Sequence, residues 1–124
     1  MVSNDEEYMN QEETFCDNFE NTHNYKVLLC HIPTLWLDWN CRDDYPIYMV
    51  FSGHYHGGVI RIPIINQGLF APYTDWLPNY TKGIYSGEKT TCVLSAGLGD
   101  EYSLPRINNP PEIVIVDFIG MIEE

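Results

Sequence analysis

Tyr48-Met49-Val50-Phe51-Ser52-Gly53-His54-Tyr55-His56-Gly57-Gly58 is the stretch on which the reading of this 124-residue chain turns. Its first four residues form a short apolar run of the kind that fills a buried strand, and the run passes directly into a segment rich in Gly and His. In an extended backbone, residues two apart point the same way and their Cα atoms lie roughly 6.5 Å apart. His54 and His56 are therefore expected to face one cleft, placed to serve two metal ions about 3.5–4 Å apart. The flanking Gly53, Gly57 and Gly58 suit a sharp turn with a ligand close to the backbone.

Upstream, Tyr25-Lys26-Val27-Leu28-Leu29-Cys30 is a second strand-like run, and it ends at His31-Ile32-Pro33. Two strands thus end in histidines, and in open α/β sheets ligand sites gather beyond the carboxyl ends of strands. A lone His after an apolar strand is more often structural. Three of the four histidines in this pattern favour a transition-metal shell built from His31, His54 and His56. His23, in a polar segment, reads as a surface residue.

The remaining elements are read by the same criteria. Thr34 is expected to cap a helix running to Trp39, and the polar stretch 40–46 ends it. Val59-Ile60-Arg61-Ile62 is a third extended segment, halted by Pro63, and 66–82 reads as an ordered surface loop with a functional role. Residues 83–95 read as a hairpin turning at Ser86-Gly87-Glu88. A second loop, 96–111, leads to a last strand, 112–118, whose four consecutive aliphatics predict burial on both faces. Phe15 and Phe19 at i, i+4 spacing suggest a short helix from Met9 to Asn21, the alternative being a disordered acidic leader. Three segments follow: a leader at 1–24, one structural unit at 25–118 and a tail at 119–124.

A formal charge of −12 sets nucleic acid and anionic membrane surfaces aside as partners recognised by charge. Seven of these charges lie in residues 1–24, which hold no Lys or Arg. A phosphoester site in such a chain needs metal cations or a few placed basic groups to offset the background field. Apolar residues at 44% and aromatic residues at 14% are globular composition. Cys16, Cys30, Cys41 and Cys92 match no C-x-x-C spacing, and Cys30 and Cys92 sit in apolar runs as small core residues. The default setting is reducing and cytoplasmic, with no apolar run long enough to span a bilayer.

The motifs then accumulate in order: Leu28-Leu29-Cys30-His31-Ile32-Pro33, Val50-Phe51-Ser52-Gly53-His54-Tyr55-His56-Gly57-Gly58-Val59-Ile60-Arg61-Ile62-Pro63, Ser95-Ala96-Gly97-Leu98-Gly99, Pro105-Arg106-Ile107-Asn108 and Pro110-Pro111-Glu112-Ile113. Together they resemble the C-terminal half of the calcineurin-like metallophosphoesterases, in the bacterial branch with a G-H-x-H-G-G-x-[IVL]-R-[IL]-P signature. The resemblance covers about residues 25–118. It implies an α/β (α+β) fold, strand-dominated, corresponding to the C-terminal half of a four-layer α/β/β/α sandwich. It also implies two divalent metal ions (Mn, Fe or Zn), with His31 and His54 on one and His56 on the other.

By the same resemblance the intact family hydrolyses phosphomono- or phosphodiesters, small-molecule or lipid, with a metal-activated hydroxide. Arg61 and Arg106 lie in family motifs, so one of them is expected to face substrate phosphate, the alternative being pairing with a carboxylate. Tyr55 stands where Thr is common and Val59 where Gln is common, both on the substrate side. The family's D-x-H, bridging Asp and G-N-H-[DE] motifs, which include its catalytic His, are absent from residues 1–30. The chain then reads as a domain fragment with at most partial metal occupancy, its N-terminal half supplied upstream or in trans, and a membrane anchor possible upstream. The alternative is a catalytically inactive half-domain serving as a remnant or interaction module.

Overall fold

The computed structural model describes residues 14–15, 17–37, 45–72, 74, 76–100 and 104–120. Its strands are β1 (Val27–Leu29), β2 (Met49–Ser52), β3 (Arg61–Ile62), β4 (Gln67–Gly68), β5 (Gly83–Ser86) and β6 (Thr91–Leu94). Four of them form one sheet in the order β1-β2-β6-β5, with β1, β2 and β6 parallel and β5 antiparallel at the edge. β3 and β4 form a separate antiparallel pair. The result is a strand-dominated α/β fold with a mixed sheet. The two apolar runs ending in histidines are strands, as their sequences suggested, and the structure pairs them as parallel neighbours; 83–95 is the expected hairpin.

Alternation along the strands builds the core. Val50 and Ser52 of β2 are buried, and their register partners Cys92 and Leu94 of β6 lie beside them. Against this face pack Trp36, Leu37, Ile47, Tyr55 and Ala71. The helix over Thr34–Leu37 supplies two of these residues, and its first turn closes when the Trp36 and Leu37 amides donate to the Pro33 carbonyl at 2.9 and 2.8 Å. Thr34 lies within the helix instead of before it, and its hydroxyl meets that of Tyr55 at 2.9 Å. Residues 38–44 lie outside the described residues.

Several expectations change. The run 112–118 is not a strand: among the described residues it joins no ladder, and Ile113, Val114, Ile115 and Phe118 are exposed, Ile115 at 85%. Apolar content shows a need for cover but does not supply it. The Glu112 amide donates to the Gly97 carbonyl at 3.0 Å, and Phe118 crosses the sheet face to meet Tyr25 and Phe51 edge-on. β1 is a sheet edge for the same reason, and Leu29 is 79% exposed. The third extended segment is reduced to β3, with Ile60 bridging Ile107.

Residues 14–15 and 17–21 are helical, while the first half of the expected leader helix falls outside the described residues. Cys92 is a buried free thiol and Cys30 a half-buried one. Among the described residues no helix is long and apolar enough to cross a membrane.

Candidate metal centre

Because β1, β2 and β6 run parallel, their carboxyl ends share one edge of the sheet. The ladder continues past each strand: Gly53 donates to the His31 carbonyl at 3.1 Å and Ser95 to the Ser52 carbonyl at 2.9 Å. This brings His31, the loop beginning at His54 and the loop 95–100 to a common rim. His31 Nε2 and His54 Nδ1 stand 3.3 Å apart, with the rings edge-on at 71°.

The backbone through the two later histidines is not extended. Tyr55 is in the right-handed helical region, and His56–Gly58 forms a 3-10 turn. His54 (φ 69°), His56 (φ 47°), Gly57 (φ 67°), Gly58 (φ 82°) and Val59 (φ 47°) all lie at positive φ. For His54, His56 and the β-branched Val59 this costs on the order of 1 kcal/mol each, and such conformations persist only where their surroundings over-determine them. The two imidazoles take different partners: His54 meets His31, and His56 Nδ1 meets the Gly99 carbonyl at 3.0 Å. Between them Tyr55 is only 1% exposed and anchors the loop in the core.

Two side chains hold this loop. Asn109, missed in the sequence because it falls between the stretches 105–108 and 110–113, donates through Nδ2 to the carbonyls of His56 (2.6 Å) and Val59 (3.1 Å). Arg61 is 5% exposed, and its NH1 donates to the Gly57 carbonyl at 2.6 Å and to Thr81 Oγ1 at 2.9 Å. Its Nε reaches Asn66 Oδ1 at 3.0 Å and its NH2 the Asn66 carbonyl. Burial pulls the Arg61 pKa down, against the opposing pull of Tyr85 and Glu112. Arg106 is half-buried, and its Nε and NH2 donate to the carbonyls of Ala96, Gly97 and Gly99 and to Asp100, while its NH1 has no partner among the described residues. The guanidiniums of Arg61 and Arg106 and the hydroxyl of Tyr55 thus end inside the protein. His23 is exposed.

Glu112 was not singled out by sequence either. One carboxylate oxygen accepts from the Ala96 amide at 2.7 Å and the other pairs with Lys82 at 3.1 Å. Burial pushes the Glu112 carboxyl up, but the Ala96 amide, Lys82 and the Arg61 charge outweigh it and hold the group below its usual 4.5. The folded state then takes up this proton less readily than the unfolded chain. Its stabilisation is complete above the unfolded-chain pKa and is lost as pH falls through the lower folded value. Glu112→Gln is expected to lower Tm at neutral pH and to flatten the loss of stability in acid. Matching acid-unfolding slopes for the two proteins would contradict this.

Among the described residues no three His, Cys, Asp or Glu side chains form a group able to hold one metal ion. The donor chemistry nevertheless fits a cation at the His31–His54 pair. Two imidazole nitrogens at about 2.0–2.1 Å from one ion lie roughly 3–3.4 Å apart for angles between octahedral and tetrahedral. At His56 the acceptor-only Gly99 carbonyl requires a proton on Nδ1, so the neutral ring keeps its lone pair on Nε2.

No family model and no solved structure matches the chain. Among curated proteins it is 33% identical over 91 residues to the uncharacterized metallophosphoesterase YkuE of Bacillus subtilis, covering 73% of this chain and 30% of that protein. It is 30% identical over 76 residues to the phosphodiesterase YaeI of Escherichia coli, covering 61% of this chain and 27% of that protein. The chain thus spans less than a third of the length of either relative. With three histidines at the ends of adjacent parallel strands, and one relative named a metallophosphoesterase and the other a phosphodiesterase, the chain belongs to the calcineurin-like metallophosphoesterase family.

Proposed function

We propose that this chain carries the histidine half of a metal-dependent phosphoesterase site. His31 and His54 share one divalent cation, and His56 serves a second. The observation that carries this reading is the 3.3 Å separation of His31 Nε2 and His54 Nδ1 at the ends of β1 and β2. The arginines support it in part, because all three guanidinium nitrogens of Arg61 and the Nε and NH2 of Arg106 donate to the protein's own acceptors, while Arg106 NH1 has none among the described residues. In a chain of net charge −12, neutralising a phosphoryl group then falls to cations. A bound divalent ion would supply Lewis-acid polarisation of a phosphoryl oxygen.

The chain's own residues do the rest of what can be assigned. The two β-strand ends orient His31 and His54, Tyr55 pins the intervening turn into the core, and Asn109 and Arg61 hold its strained backbone. Arg61, Arg106 and Tyr55, expected from sequence on the substrate side, are assigned positioning roles in this reading. The substrate class is a phosphodiester or phosphomonoester, by analogy with the phosphodiesterase name of one relative. The lack of a three-donor group among the described residues favours a second reading, a half-domain that needs carboxylate ligands from elsewhere.

Metal-stripped protein given Mn²⁺ and a chromogenic phosphodiester separates the two. Turnover that appears with Mn²⁺ and vanishes with chelator is the expected result for a self-sufficient site. Metal binding without turnover is the result expected of the half-domain.

A further inference from the structure

We propose that Arg106 is a positioning residue for His56. Acting through the Gly99 carbonyl, it fixes the imidazole as its Nδ1–H tautomer and leaves Nε2 as the donor atom for a divalent cation. The last step rests on the metal reading above; the tautomer does not.

Gly99 O can only accept, so the 3.0 Å contact from His56 Nδ1 fixes the proton on that nitrogen. The same oxygen receives the Nε of Arg106 at 3.0 Å and its NH2. Arg106 NH2 also reaches the Ala96 carbonyl at 2.6 Å and the Gly97 carbonyl at 3.3 Å, and its Nε pairs with Asp100 at 3.1 Å. One guanidinium, its side chain 6% exposed, thus gathers three carbonyls of the loop that follows β6 and sets where the third one points. A planar fork of fixed geometry suits that task; the single ammonium of Lys does not.

Asn109 completes the arrangement from the other side. Its Nδ2 holds the His56 carbonyl at 2.6 Å, so the backbone and the Nδ1 edge of this residue are fixed by Asn109 and Gly99. His56 needs this, because its φ of 47° is unfavourable for a residue with a Cβ. Once the loop carbonyls lose Arg106, the ring is free to exchange tautomers, and an unconstrained His side chain in water favours Nε2–H. Metal-ligating histidines are commonly oriented through their other ring nitrogen in just this way, and loss of the orienting partner weakens binding about tenfold or more.

The test is a long-range ¹H–¹⁵N correlation spectrum of the metal-free, ¹⁵N-labelled full chain in alkaline buffer, with exposed His23 as the internal reference for an unconstrained ring. The wild type is expected to show His56 as Nδ1–H alone and His23 as a mixture. Arg106→Gln is expected to convert His56 to a mixture. Where that variant fails to fold, Arg106→Lys is expected to give a partial conversion. An Nε2–H signature for His56 in the wild type, or a folded Arg106 variant with the wild-type tautomer, overturns the proposal. Zn²⁺ added to the same samples is expected to move His56 Nε2 and to bind about tenfold more weakly in the variant. Zn²⁺ that leaves Nε2 unmoved while the tautomer still depends on Arg106 overturns the metal reading and leaves the positioning role standing.

Discussion

Gly58→Ala is expected to cost about 3 kcal/mol or more, enough to unfold much of a domain of ordinary stability. Two independent penalties coincide at this position. Gly58 has a φ of 82°, and a Cβ there would stand 2.5 Å from the Gly68 Cα and 3.0 Å from the Thr81 Cγ2. The first is backbone of β4, held by its pairing with β3, so it cannot swing aside as a flexible side chain does. Gly97 provides the control: its φ is 64°, but a Cβ there meets nothing within 4 Å. Gly97→Ala should therefore cost only the conformational part, about 1 kcal/mol. Urea unfolding of the two variants measures the difference. Equal losses would mean that the close packing of the histidine turn on β4 carries no weight.

His31→Ala and His54→Ala are each expected to weaken binding of one divalent cation by a factor on the order of 100, with Tm changed little. His31 is exposed, and its visible partners are the His54 ring and the Gly53 amide, the latter bonded to its backbone carbonyl. The two single losses should not add, because either one leaves the cation with too few donors from this chain. His56→Ala should spare that cation. Isothermal titration with Zn²⁺ on the three variants reads this directly, and similar losses at all three positions would argue for a single shared ion.

The two strands ending in histidines could be read from the sequence because short apolar runs mark strands and the histidines mark where those runs stop, but the expected burial held for β2 and not for the edge strand β1. The hairpin was legible from its turn residues. The path through His54, His56 and Val59 was not. None of these residues favours positive φ, and the conformation is imposed from a distance by Asn109, by Arg61 and by the burial of Tyr55. Sequence also cannot distinguish an arginine that binds substrate from one that collects backbone carbonyls, since the two present the same side chain. The run 112–118 shows the converse: its aliphatics suggested a buried strand, but it forms none, because pairing and cover depend on neighbours that a local pattern does not specify.

The claim that His31 and His54 hold one cation while His56 serves another is tested most directly by titrating Zn²⁺ into ¹⁵N-labelled wild-type chain and following the individual imidazoles. His31 Nε2 and His54 Nδ1 are expected to shift together along one isotherm, with His56 Nε2 following a separate one and His23 staying still. Shifts at His23 equal to those at His31 and His54, or no coordinated shift at that pair, would contradict it.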